Sequence, residues 1–280
     1  MVYGGPPLDL DKEILRLRSY VYNLAELAAD MLQHVKIDLE KDDTGFMLLA
    51  FTSKQIEHAR SLVTLNDVGQ YRDAFGLARL MTEGLVQLNW AMQKPEERPS
   101  FWRAFVIIGE FRDRLGNPEF RMHEAACRNL LETHCKKFLK KKKRKAFERG
   151  EIRQSDIVPN DYPDSWHGFI NHNGNFETVG IADMYDAAHL TPLYNYAHTN
   201  ASGWIHWDPY SIGKVLQFSS TGEIIYRESS EDKNLGAGAY ADGFQSLLLT
   251  AMWLDQHFKL GHQQRLTELS DGNHARTELK

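Results

Sequence analysis

From Leu10 onward the apolar residues of this chain recur at alternating spacings of four and three. Leu10, Ile14, Leu17, Val21, Leu24, Ala28, Met31 and Val35 form a seam of nearly four heptads. The spacing predicts a long helix packed along its length on other helices, and it would also serve as a self-association seam. A second helix is expected from Thr44, as cap, to about Leu65, with Leu49, Ile56, Ala59 and Val63 inward. Asn66, Asp67 and Gly69 break it.

The third pattern, YRDAFGLARLMTEGLVQLNWAM from Tyr71 to Met92, is apolar over most of its circumference. A narrow strip carries Arg72, Gly76, Arg79, Glu83 and Gln87 at spacings of four, three, four and four. A helix apolar nearly all round is buried, so charges inside it need partners. Arg79 and Glu83 can pair at i,i+4. Arg72 is left over and could hold an anionic ligand or another carboxylate. A structural ion-pair network and a functional site both fit this strip.

Pro95 and Pro99 close that helix, and Ser100 is expected to cap the next, with Trp102, Phe105 and Ile108 inward. Gly116-Asn117-Pro118 ends it. Glu119 to Gly150 reads as one helix, basic in its second half (KKFLKKKKRKAF, Lys136 to Phe147). The run reads either as a phosphate-binding patch or as a solvated helix end favoured by the helix dipole. Residues 151–175 read as loop, and a short helix follows from Glu177 to His189. Thr191-Pro192 then opens a helix dense in chemistry, TPLYNYAHTNASGWIHWDP, where Tyr194 and His198 are i,i+4 neighbours and Asn195, His198 and Ser202 share a face. Val215–Phe218 and Ile224–Arg227 flank a turn and predict a β-hairpin. Glu231–Gly238 reads as loop, Ala239–Leu260 as a last helix carrying Phe244, Leu247, Leu248, Met252, Leu254 and Phe258. The pattern as a whole predicts an all-α, multi-helix bundle with one small hairpin near the C-terminus: a flexible segment 1–9, one helical domain 10–260, and a disordered polar tail 261–280.

Composition narrows the function classes. The chain has 280 residues and a formal charge of −5, with 42% apolar and 25% charged residues. Nothing in that balance draws it globally to nucleic acid or membrane. No apolar run reaches the ~20 residues a membrane span needs, and no basic leader precedes an apolar segment. The two cysteines, Cys127 and Cys135, lie about 12 Å apart on a helix axis, too far for a disulfide, which suits reduced thiols in a cytoplasmic protein. Phosphate-loop, dinucleotide-binding and zinc-protease signatures are absent, so no cofactor and no metal site is expected. An unperturbed histidine titrates near neutral pH, so His198 is of the type that can act as general acid or base, and Arg79 can stabilise a developing phosphorane.

Three stretches taken together, HARSLVTLNDVGQYRDAFGLARLMTEGL, SWHG and VGIADMYDAAHLTPLYNYAHTNAS, resemble an uncharacterised bacterial family of unknown function. That family has an Arg-x-x-x-Glu helix, a Trp-x-Gly and a late helix ending in His and small residues. The matching positions are Arg79, Glu83, Trp166, Gly168 and His198, with Tyr194 where the family has serine. The family is distantly similar to the HEPN superfamily of helical nucleotide-binding proteins, many of them ribonucleases in toxin and defence systems. The likeness to that superfamily implies RNA as partner and metal-independent RNA cleavage; on the chemistry of the residues themselves, His198, Arg79 and Glu83 are the expected catalytic groups and Arg72, Trp166, Tyr194, Asn195 and Ser202 the expected substrate contacts. The arginine that the HEPN motif places ahead of its histidine is missing here. The competing expectation is a non-catalytic helical homodimer, or a small-ligand pocket under Trp166 and Trp207, with the same polar residues serving the fold.

Overall fold

The computed structural model describes residues 9–38, 41–114, 124–191, 194, 216–218, 221, 224–226 and 228–274. Four long helices make the main body: α1 (Leu10–Gln33), α2 (Asp43–Asp67), α3 (Tyr71–Met92) and the late helix Lys233–Phe258. Asp9 caps α1 by accepting from Lys12 N, with Asp11 and Glu13 in the first turn where the helix dipole favours negative charge. Asp42, rather than Thr44, caps α2 by accepting from Gly45 N at 2.7 Å.

Contacts along these helices fix their directions. Arg18 pairs with Asp67 and Arg60 with Glu26, so α1 and α2 run antiparallel. Asp11 pairs with Lys233, and Tyr20 lies edge-on to Phe244, so α1 and the late helix run parallel. Arg72 pairs with Asp232, and Thr82 meets Ser246, so α3 runs parallel to both. The seam of α1 is consumed by this arrangement. Ile14, Leu17, Val21, Leu24, Ala28 and Met31 are all buried in the main core, where α1 packs on α2 and the late helix. The dimerisation reading of that seam is therefore corrected: its apolar face is already covered within the chain.

Between α3 and the late helix the chain builds smaller elements. These are α4 (Arg98–Arg114), α5 (Glu124–Leu130), a π-helical turn Leu131–Cys135, a 3-10 turn Lys136–Phe138 and α6 (Lys141–Glu148). Next come β1 (Gly168–Ile170) and β2 (Phe176–Thr178), α7 (Ile181–Ala187), and β3 (Leu216–Phe218) and β4 (Ile224–Tyr226). The late helix is α8, and α9 (Gln263–His274) follows it. Both strand pairs are antiparallel, with Phe169 opposite Glu177 and Gln217 opposite Ile225. Among the described residues no helix is long and apolar enough to cross a membrane.

Several boundaries depart from the sequence pattern. α4 begins at Arg98, and Ser100 lies inside it with its hydroxyl donating to Glu97 O. The single helix expected from Glu119 to Gly150 is broken, because Phe138 turns inward against Phe101, Phe105 and Phe176 at ring distances of 5.2–5.5 Å. That inward turn sets a second core, which holds Cys127 and Cys135 as buried free thiols. Burial pushes the Cys135 thiol up to about 12, so it is inert as a nucleophile at neutral pH. Part of the expected 151–175 loop pairs with Glu177 and its neighbours as a further hairpin. Residues 233–238, expected as loop, are the first turns of α8. In the tail expected to be disordered, residues 263–274 form α9, whose Leu266 is fully buried in the main core.

Gly236 marks the closest approach of α8 to the α2–α3 turn. A Cβ there would sit 2.5 Å from a Tyr71 ring carbon and 2.6 Å from Asn66 Oδ1. Gly236→Ala is expected to cost about 1–3 kcal/mol through overpacking, despite the better helix propensity of alanine. Equilibrium denaturation of the variant checks this.

Candidate functional site

The charged strip of α3 reaches two different places. Arg72 lies at the N-terminal end of the bundle, where its Nε donates to Asp232 at 2.7 Å and its Nη2 to Glu228 O. Both side chains of that pair are largely buried, 8% and 12% exposed. Of the two partners expected for Arg72, an anionic ligand or another carboxylate, the structure shows a carboxylate, and the pair fastens the start of α8 to α3.

Two helical turns further on, Arg79 Nη2 donates to Glu83 Oε1 at 2.5 Å. Arg79 is 6% exposed, so this i,i+4 pair sits in a largely dry setting where its attraction is much stronger than at a surface. One turn along the helix interface, Thr82 Oγ1 donates to Ala78 O, lies 3.5 Å from Ser246 Oγ, and Ser246 in turn donates to Asp242 O. Asp242 thus stands on α8 facing α3, about level with Arg79. Its Oδ2 is shut off from solvent and has no hydrogen-bond partner among the described residues. Burial pushes its carboxyl up to about 6.

The third wall comes from α7. Tyr185 is fully buried with Met184, Val86 and Trp90 in a small apolar cluster. Burial raises the Tyr185 phenol, reinforced by the charge of Glu83, opposed by Arg79 and reinforced again by Asp242. All three charges therefore act on one hydroxyl. Tyr194 packs against the same cluster with its ring 5.1 Å from that of Tyr185. Trp166 is wedged between this cluster and the main core, so it fills a gap between helices. Gly168 sits in β1, where a Cβ would strike Glu177 O, and this explains the small residue two places after Trp166. Of the expected site residues, the structure brings Arg79, Glu83, Trp166 and Tyr194 to one junction of α3, α7 and α8. His198, Asn195 and Ser202 lie outside the described residues, as does Trp207.

A model of a family of unknown function, DUF5677, matches residues 45–224. The chain belongs to DUF5677. The matched span carries α3 with Arg79 and Glu83, α7 with Tyr185, and His198, whereas Asp242 lies beyond it on α8. No curated protein and no solved structure matches this DUF5677 chain.

Asp242 and Tyr185 were missed by the sequence reading. The signal for Asp242 was present, since it is the only charged residue between Asn234 and Leu254, as anomalous there as Arg79 is in α3. Tyr185 gave no such signal, because a tyrosine on a short amphipathic helix is ordinary.

Proposed function

We propose that this DUF5677 protein cleaves RNA without a metal, at the junction of α3, α7 and α8. The observation that carries the reading is the meeting of the Arg79–Glu83 pair, the Tyr185 hydroxyl and the raised Asp242 carboxyl in one desolvated corner. Two carboxyl groups held in contrasting environments, one on a guanidinium and one without a partner, are the arrangement that divides acid from base roles. Glu83 orients Arg79, and Arg79 stabilises the charge that builds on the phosphoryl oxygens. His198, four positions after Tyr194 in sequence, takes the proton from the RNA 2′-hydroxyl. The 2′-oxygen then attacks phosphorus, the bond to the 5′-oxygen breaks as that oxygen takes the proton held by the His198 imidazolium, and a 2′,3′-cyclic phosphate remains. Trp166, Tyr194, Asn195 and Ser202 are the substrate contacts in this scheme. The two buried free thiols fit a reducing, cytoplasmic setting.

The test is cleavage of an end-labelled RNA oligonucleotide in EDTA, beside the same oligonucleotide with 2′-deoxy sugars. The expected result is cleavage of the RNA alone, lost in a folded His198→Ala protein and in Arg79→Lys. A His198→Ala protein that cuts as well as the parent overturns the assignment.

A second reading is favoured by the 6% exposure of Arg79 and its pairing within its own helix. On that reading the cluster fixes the register of α3, α7 and α8 and performs no chemistry. Stability measurements separate the two readings.

A further inference from the structure

The break in the basic helix has a consequence for charge. The π-helical turn Leu131–Cys135 and the extended residues Leu139 and Lys140 interrupt the helix, and α6 then borders the same cleft as α4. The lysine run is thereby divided. Lys140 donates to Asn160 O and Lys143 pairs with Asp161, which ties them to the neighbouring turn. Lys141 and Lys142 are exposed. Lys136, Lys137 and Lys145 instead border a cleft of about 580 Å³ that also takes in Arg103 of α4 and Arg144 of α6.

Five cations from three segments face three carboxylates there, Asp43, Glu132 and Glu148. Asp43 is engaged by Arg103 at 2.7 Å, and Glu148 lies 4.0 Å from Arg144. Arg144 is further fixed by the carbonyl of Gly174, at the β1–β2 turn. Lys136, Lys137 and Lys145 form no ion pair among the described residues. The Lys137 ammonium rests 4.7 Å from the Phe101 ring centre and 5.1 Å from that of Phe138, and Lys136 lies 5.2 Å from Phe147. Aromatic faces compensate an ammonium weakly compared with a carboxylate. Desolvation lowers the Lys137 pKa, the opposite of what a lysine with an anionic partner shows. Lys136, Lys137 and Lys145 are exposed as well, but with Arg103 and Arg144 they gather around one concavity of the size that holds small molecules.

We propose that this cleft binds a compact polyanion, a small molecule carrying two or three linked phosphates, with Lys136, Lys137 and Lys145 as its charge partners and Arg103 and Arg144 as its fixed sides. With Arg103 on Asp43 and Arg144 beside Glu148, three lysines face Glu132, a surplus of two positive charges spread over two segments, which linked phosphates reach across better than a single phosphate does. The site is separate from the Arg79 junction and does not depend on RNA cleavage there.

Isothermal titration of the full chain with sodium tripolyphosphate, pyrophosphate and orthophosphate, and in a parallel arm with a single-stranded RNA oligonucleotide, tests it. Tripolyphosphate is expected to saturate one site and to bind at least about tenfold more tightly than orthophosphate. Lys136→Gln/Lys137→Gln should weaken it about tenfold or more, whereas Lys141→Gln/Lys142→Gln, with the same loss of charge on the solvent side, should change it less than about twofold. Absence of saturable heat overturns the proposal. So does equal weakening by both double variants, which would report only general charge. RNA that displaces tripolyphosphate and is itself weakened about tenfold by Lys136→Gln/Lys137→Gln overturns it in favour of a strand-binding surface.

Discussion

Glu83→Ala is expected to lower stability by about 3 kcal/mol, because it removes from a buried guanidinium its closest carboxylate. The pair has side-chain exposures of 7% and 19%, so water cannot take over the role of the lost oxygen as it would on a surface. Glu83→Gln keeps one acceptor and should lose less. The informative partner is Arg79→Met/Glu83→Leu, which replaces both charges with apolar groups of similar size. If the pair serves the fold through packing alone, the double variant should recover most of the loss, as buried ion pairs commonly allow. Chemical denaturation measures the stability, and the RNA assay on the same proteins measures function. A double variant that regains stability while RNA cleavage stays absent supports a catalytic Arg79. An unchanged cleavage rate in that variant leaves only the structural role.

Asp242→Asn is expected to stabilise the protein near pH 7 relative to its effect at pH 4. Burial pushes the folded carboxyl up to about 6, from the roughly 3.9 of an unperturbed aspartate. Below pH 4 the group is protonated in both folded and unfolded chains and contributes no pH dependence. Between about 4 and 6 the folded form holds the proton that the unfolded form has lost, so stability falls as pH rises. Above 6 the buried carboxylate carries the full penalty, about 3 kcal/mol for a shift of this size. The difference between parent and Asp242→Asn should therefore open between pH 4 and 6 and level off above. Thermal or urea unfolding across pH 4–8 checks it, and parallel curves would mean that Asp242 has a partner or ready access to water. An acid of this kind beside Tyr185 is also the group most suited to donate or accept a proton at mildly acidic pH.

Much of the main bundle was legible in one dimension. The α1 seam, the Arg79–Glu83 spacing and the apolar load of α8 each depend on helical period alone, and the structure buries most of the residues that the period selects. The second core was not legible. Its organising event is Phe138 leaving a basic helix to join Phe101, Phe105 and Phe176, and nothing near Phe138 in sequence signals rings that lie far from it along the chain. Leu266 shows the same limit at the C-terminus, where one buried leucine holds a polar helix that composition alone assigns to disorder.

The sequence by itself determined which stretches are helical in the main body and that charges inside α3 must be matched, since periodicity and desolvation act locally. Only the tertiary structure decided what matches them. Arg72 finds Asp232 about 160 positions away, Asp242 comes level with Arg79 from another helix, and a lysine run is divided between a turn, a cleft and solvent. Such pairings depend on which helix faces lie against each other, and that is set by the burial of many side chains at once.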